Sequence, residues 1–233
     1  MLSIGIFVRF SEYFGRFWFA AEPIFGIVMT LVFLGILRNE ALYAYPKLIN
    51  TIVTAVLAGA ISCCIAWGAV DGIFYAWENH SIAARKNIIA SYAKDEKARS
   101  KGLEMIAEDL EDSHVSILND DQKSSIQNMI IANLSNTTVK ERVSWKDDLV
   151  TIFLDIGLNL GACLVIIFPL ILLRNVIALP NLVDVAVIVA CGLMFLIGVW
   201  IETRRSWRLK LRKGTLYAVL GLIITLLTWF LGG

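Results

Sequence analysis

Glu22, Asp71 and Asp155 are carboxylic acids set in stretches of sequence that are otherwise apolar. An ionisable group in such a stretch is costly, so it faces a partner or a water-filled path and is a candidate for chemistry. Asn159 stands one helical turn beyond Asp155, and Met29 two turns beyond Glu22. Helical spacing draws each acid into a stripe. Glu22, Gly26, Met29, Thr30 and Phe33 share one, Cys64, Gly68, Asp71 and Tyr75 a second, and Asp155, Asn159 and Cys163 a third. Carboxylate, amide, thioether and thiol together suit a borderline divalent metal such as Fe(II) or Mn(II) better than an alkali ion. A competing reading has Glu22 and Asp71 reaching for the membrane surface or capping helix ends, with Asp155 bonded to a neighbouring helix.

A second acidic set lies in polar sequence. Glu104, Glu108 and Glu111 recur at i, i+4 and i+7, and no Lys or Arg interrupts the acids from Glu104 to Asp121. One helix face carrying three glutamates can collect a hard divalent cation through oxygen ligands. A solvated acidic face is the plainer account. The four cysteines, Cys63, Cys64, Cys163 and Cys191, all fall in apolar stretches without metal-ligand spacing, and read as small buried apolar residues. His80 and His114 lie outside those stretches, and neither H-E-x-x-H nor G-x-S-x-G occurs, so neither an enzyme nor a prosthetic group is expected.

The elements that must position these residues are five apolar runs, over residues 20–37, 51–77, 149–173, 182–201 and 214–231. Each is long enough, as a helix rising 1.5 Å per residue, to cross a hydrocarbon core of ~30 Å. The runs are continuous rather than alternating, which excludes a membrane β-barrel and leaves an all-α integral membrane protein. Composition agrees, with 58% hydrophobic residues, only 18% charged and a mean hydropathy of +0.69. Residues 1–77 hold an N-terminal segment and two spans, 78–147 form one polar insertion, and 148–233 hold three further spans. Leu2, Ile6, Phe10, Tyr13, Phe14, Phe17 and Trp18 recur at helical spacing, so 1–19 is expected to be an interfacial amphipathic helix rather than a cleaved signal. Inside the insertion, helices are expected at 81–98, 103–110 and 120–134, with Gly102 separating the first two and Asn119-Asp120 capping the third.

Orientation follows from the basic residues. Arg204, Arg205, Arg208, Lys210, Arg212 and Lys213 crowd the link before the last span, and Arg85, Lys86, Lys94, Lys97, Arg99 and Lys101 open the insertion. Basic loops stay on the cytoplasmic side. The N-terminus and insertion are therefore expected inside and the C-terminus outside, as for a bacterial inner-membrane protein. That bias already accounts for the basic link without a nucleic-acid partner. Glu22, Asp71 and Asp155 would then occupy one level, in the inner part of the membrane. Gly68–Gly72 and Gly157–Gly161 are both G-x-x-x-G, which serves close helix packing either within the chain or between copies. Pro169 is expected to kink or end the third span.

The run EPIFGIVMTLVF (Glu22–Phe33) and the run AWGAVDGIFYAW (Ala66–Trp77) resemble the vacuolar iron transporter family, in a divergent prokaryotic branch. The five-span layout, the helical insertion between spans two and three and the apolar close of the chain in Gly-Gly are similar as well. The resemblance implies a homodimer that exports cytosolic Fe2+ or Mn2+ in exchange for protons, with the insertion collecting metal on glutamates. The family's Asn-Asp-Gly motif of the first span is absent, since that region reads Gly26-Ile27-Val28-Met29. The expected function is thus a proton-coupled divalent-metal transporter using Asp71, Asp155, Glu22, Met29 and Asn159, with Glu104, Glu108 and Glu111 on the insertion. The alternative is a non-transporting membrane scaffold whose cytoplasmic helices bind a partner.

Overall fold

A computed structural model of the chain describes residues 2–43, 48–111, 114–136, 142–203 and 206–231. Among them the regular structure is entirely helical, without a strand. The order is α1 (Leu2–Tyr43), α2 (Ile49–Lys94), α3 (Arg99–Glu111), a 3-10 turn (His114–Ile117), α4 (Asp120–Ser135), α5 (Trp145–Leu173), α6 (Leu179–Ile201) and α7 (Trp207–Leu231). Helices α1, α2, α5, α6 and α7 are each long and apolar enough to cross a membrane. A backbone in hydrocarbon must satisfy its own polar groups, and a helix does so internally. Asp112, Arg204, Arg205, Gly232, Gly233 and residues 139–141 lie outside the described residues. So do the side chains of 2–17, which carry most of the expected amphipathic face. The backbone there is the first part of α1, which runs on without a break.

The chain divides into two compact units, Met1–Tyr75 with Leu149–Gly233, and Ala76–Asp148. In the first, α1 is the central helix, since half of its apolar window is buried against 22% for α2 and for α7. Ile27, Leu31, Leu34 and Leu37 recur every three or four residues and meet Val53 and Ala60 of α2, Ile166 and Leu170 of α5, and Val183, Ala186 and Met194 of α6. Helix α7 packs on α6, and α1 touches both. Where the α1 span ends, the Arg38 guanidinium lies 3.6 Å over the Trp229 ring of α7. Phe153, Phe168, Ile188, Leu216, Leu227 and Phe230 point outward. Such a surface would aggregate in water and is what a lipid-facing bundle requires.

Lipid tails are as apolar as leucine, so helices in a bilayer associate by close packing rather than by hydrophobic burial. Glycine provides it here. A Cβ on Gly68 would lie 2.7 Å from Ile156 Cα, and one on Gly72 2.6 Å from Ile152 Cα, so the first G-x-x-x-G seats α2 directly on the α5 backbone. A Cβ on Gly26 would collide with the Asn159 carbonyl, which brings α1 equally close to α5. The second motif behaves differently: Gly157 and Gly161 have nothing within 4 Å of a Cβ position. Pro169 does not end α5, which continues to Leu173.

In the second unit the end of α2 packs with α3 and α4 around Ile89, Ala93, Ile106 and Ile131. The three expected helices are present with two corrections. The first is the continuation of α2 rather than a separate element. The break after it comes at Asp95, whose carboxylate accepts the Lys97 N–H at 3.0 Å in a turn, and not at Gly102. Gly102 lies inside α3, buried, because a side chain there would press on Ile131 and Tyr92, each 3.2 Å from the Cβ position. The α4 cap is the expected one. Asn119 accepts from the Gln122 N–H at 2.9 Å and Gln122 accepts from the Asn119 N–H at 3.3 Å, closing a capping box.

Candidate metal centre

Helices α1 and α2 run antiparallel with their aromatic and acidic residues in register. Trp18 meets Tyr75 edge-on at 5.9 Å, Phe25 meets Trp67 at 6.1 Å, and Glu22 lies between these pairs. Each aromatic pair contributes about 0.5–1.5 kcal/mol beyond the area it covers. Because 18, 22 and 25 share a face of α1, and 67, 71 and 75 a face of α2, the two pairs fix the rotation that turns Glu22 toward Asp71. Helix α5 closes the third side, drawn in by Gly26, Gly68 and Gly72.

The result is that carboxylate oxygens of Glu22, Asp71 and Asp155 lie within 4.8 Å of one another. Glu22 and Asp155 are fully buried, and Asp71 is half-buried. Tyr75 donates its hydroxyl hydrogen to Glu22 Oε1 at 2.8 Å. The Asn159 amide donates to Glu22 Oε2 and to Asp155 Oδ1, both at 3.0 Å. The Trp67 indole lies beside Asp71, one turn back on α2. Two oxygens are left over: Asp155 Oδ2 and Asn159 Oδ1 are buried and have no hydrogen-bond partner. Buried acceptors without a donor are rare and call for a cationic or protic ligand. Three negative charges so close in a bilayer repel unless protons or a cation lie among them.

Of the residues picked out from the sequence, Glu22, Asp71, Asp155 and Asn159 therefore converge. Met29 does not join them. It lies two turns along α1, where its sulfur accepts from the Cys63 thiol at 3.6 Å. The candidate donor set is consequently all oxygen rather than oxygen with a thioether. Glu104, Glu108 and Glu111 are all exposed on α3 and do not gather into such a group among the described residues. Glu108 is engaged by Arg85 at 2.9 Å, and Asp109 by the same guanidinium at 2.8 Å, so part of that acidic face neutralises the basic end of α2. Asp184 is exposed in the first turns of α6. Tyr75 is the residue that sequence reasoning left without a role. Its position one turn beyond Asp71 was the available signal, but which acid it reaches depends on helix rotation.

Comparison of the chain with protein-family models, with curated proteins and with solved structures gives no match. The site is therefore judged on its own geometry. Oxygen donors from three helices, with two acceptors on α5 left without donors, suit a hard to borderline divalent cation.

Proposed function

We propose that this chain carries divalent metal cations, Fe2+ or Mn2+, across a bilayer and exchanges protons at the same carboxylates, as its resemblance to the vacuolar iron transporters implies. The observation that supports the reading is the meeting of Glu22, Asp71 and Asp155 from three separate membrane helices within 4.8 Å. Acids that only served to reach the surface or cap their own helices would have no reason to converge. A dication or two protons would offset the repulsion among them, so entry of one favours release of the other. Asp155 Oδ2 and Asn159 Oδ1 would complete the ligand set, Asn159 and Tyr75 would hold Glu22 in place, and Asp71, the least buried acid, would receive the ion. In this reading the N-terminus and insertion face the cytoplasm of a bacterial inner membrane, and the chain works as a homodimer.

Purified protein in liposomes, with Fe2+, Mn2+, Zn2+ and proton flux followed, tests this directly. Wild type should move Mn2+ or Fe2+ with counter-flow of protons, and Asp71→Asn and Asp155→Asn should each lower the rate at least tenfold. A scaffold whose insertion docks a partner would tolerate both changes. Equal flux through wild type and variants would eliminate transport.

A further inference from the structure

Two turns along the same seam lies a second buried polar layer that the carboxylate chemistry does not use. From Glu22 to Thr30 on α1, from Asp71 to Cys64 on α2 and from Asp155 to Cys163 on α5, the step is seven or eight residues each time. That is about 11 Å along the helices. Thr30, Cys64 and Cys163 have no exposed surface at all. Cys64 and Cys163 belong to one buried cluster shared by α1, α2 and α5, within reach of each other and of the Thr30 side chain. The Thr30 hydroxyl donates to the Gly26 carbonyl at 2.7 Å, and the Cys64 thiol points to that same carbonyl at 3.8 Å. Three helices thus bring two sulfur and two oxygen donors to one point, separated from the carboxylates by the layer in which Gly26 and Gly68 press on the α5 backbone.

We propose that Cys64 and Cys163, with Thr30 and the Gly26 carbonyl, form a second cation station that takes one borderline-soft divalent metal as a dithiolate. Binding breaks two S–H bonds, forms two metal–sulfur bonds and releases two protons to solvent. The dication and two thiolates sum to zero charge, the condition a dry membrane interior demands. Thiolate sulfur prefers Zn2+, Cd2+ and Fe2+ over Mg2+ and Ca2+, so this layer discriminates among ions that an all-oxygen site accepts together. The inference goes beyond the transport reading and does not rest on it, since a thiol pair binds metal whether or not the ion crosses.

The test is titration of the reduced, detergent-purified full-length protein with Cd2+, read by the ultraviolet charge-transfer absorption of cadmium thiolate. One equivalent per chain is expected. Cys64→Ser and Cys163→Ser should each abolish the signal, whereas Cys63→Ser, Cys191→Ser and the Asp71→Asn, Asp155→Asn double variant should keep it. Absence of the signal from wild type, or its survival in both Cys64→Ser and Cys163→Ser, overturns the proposal. Should the serine variants fail to fold, X-ray absorption of the cadmium complex of the double Asp→Asn protein decides without them. A shell with two sulfurs supports the station, and an all-oxygen shell removes it. Loss of Mn2+ flux with the cadmium signal intact would sink transport alone.

Discussion

Asn159 donates to two acids with one amide group and leaves its own oxygen without a donor. Asn159→Ala would strand Glu22 Oε2 and Asp155 Oδ1, and hydrogen bonds to charged groups contribute about 1.5–3 kcal/mol each. A clear drop in unfolding temperature is therefore expected, measured in detergent without metal. Asp155→Asn should act in the opposite sense, because it removes one of three repelling charges while keeping the side chain's shape. The metal-free protein should hold its melting temperature or gain. Only wild type should then be stabilised by added Mn2+, by about 2.7 kcal/mol at a hundredfold excess over Kd. Protons compete with the metal for the same oxygens, so that stabilisation should be largest at high pH and fade on acidification. A thermal-shift series in pH and Mn2+ checks both points, and an equal Mn2+ response from Asp155→Asn would refute the site. The common level of the three acids was legible in the sequence, because each lies a countable number of residues from the end of its span. What Tyr75 and Met29 face was not, because that depends on how far each helix is rotated.

Glycine spacing shows where sequence runs out at the level of elements. Both G-x-x-x-G motifs promise a close approach, yet Gly68 and Gly72 are occupied by α5 while Gly157 and Gly161 are open. A motif states that a helix can be approached, whereas the choice of neighbour is made by the packing of the whole bundle. Substitution should separate the two. Gly68→Ala must displace the backbone at Ile156 and is expected to cost about 1–3 kcal/mol as overpacking. Gly157→Ala meets no atom and should be neutral, or stabilising by up to about 1 kcal/mol through helix propensity. Reversible unfolding in mixed detergent compares them, and equal costs would contradict the packing described. The insertion teaches the same lesson. Gly102 looked like a separator because glycine weakens helices, but Asp95 supplies a better turn, and the space under Ile131 and Tyr92 requires a residue without a side chain. The α4 cap, by contrast, was legible because a capping box is local to four residues, and Asn119→Ala should cost that helix about 1 kcal/mol.

At the scale of the whole molecule, the direction of the proposed path depends on which side the carboxylates open to. Five helices of membrane-crossing length were legible because apolar length is a one-dimensional property, and hydrocarbon admits few alternatives. Sidedness rests on charge alone: Arg208, Lys210, Arg212 and Lys213 begin α7, and Arg85, Lys86 and Lys94 close α2, while Arg174 is the single base of the link between α5 and α6. Ser116, Asn175 and Ser206 are exposed positions in the insertion, the α5–α6 link and the start of α7, so single cysteines there report on three successive sides. With α5 and α6 each crossing once, a membrane-impermeant maleimide applied to intact cells should label Asn175→Cys and spare Ser116→Cys and Ser206→Cys. Permeabilisation should then expose all three. The four native cysteines lie within the spans and serve as the unlabelled background. The reverse pattern would turn the bundle over, so that Glu22, Asp71 and Asp155 would take up ions from outside and the exchange would be one of import. Labelling of all three in intact cells would mean that α5 and α6 do not cross, and a path through the membrane along their seam would then have no walls.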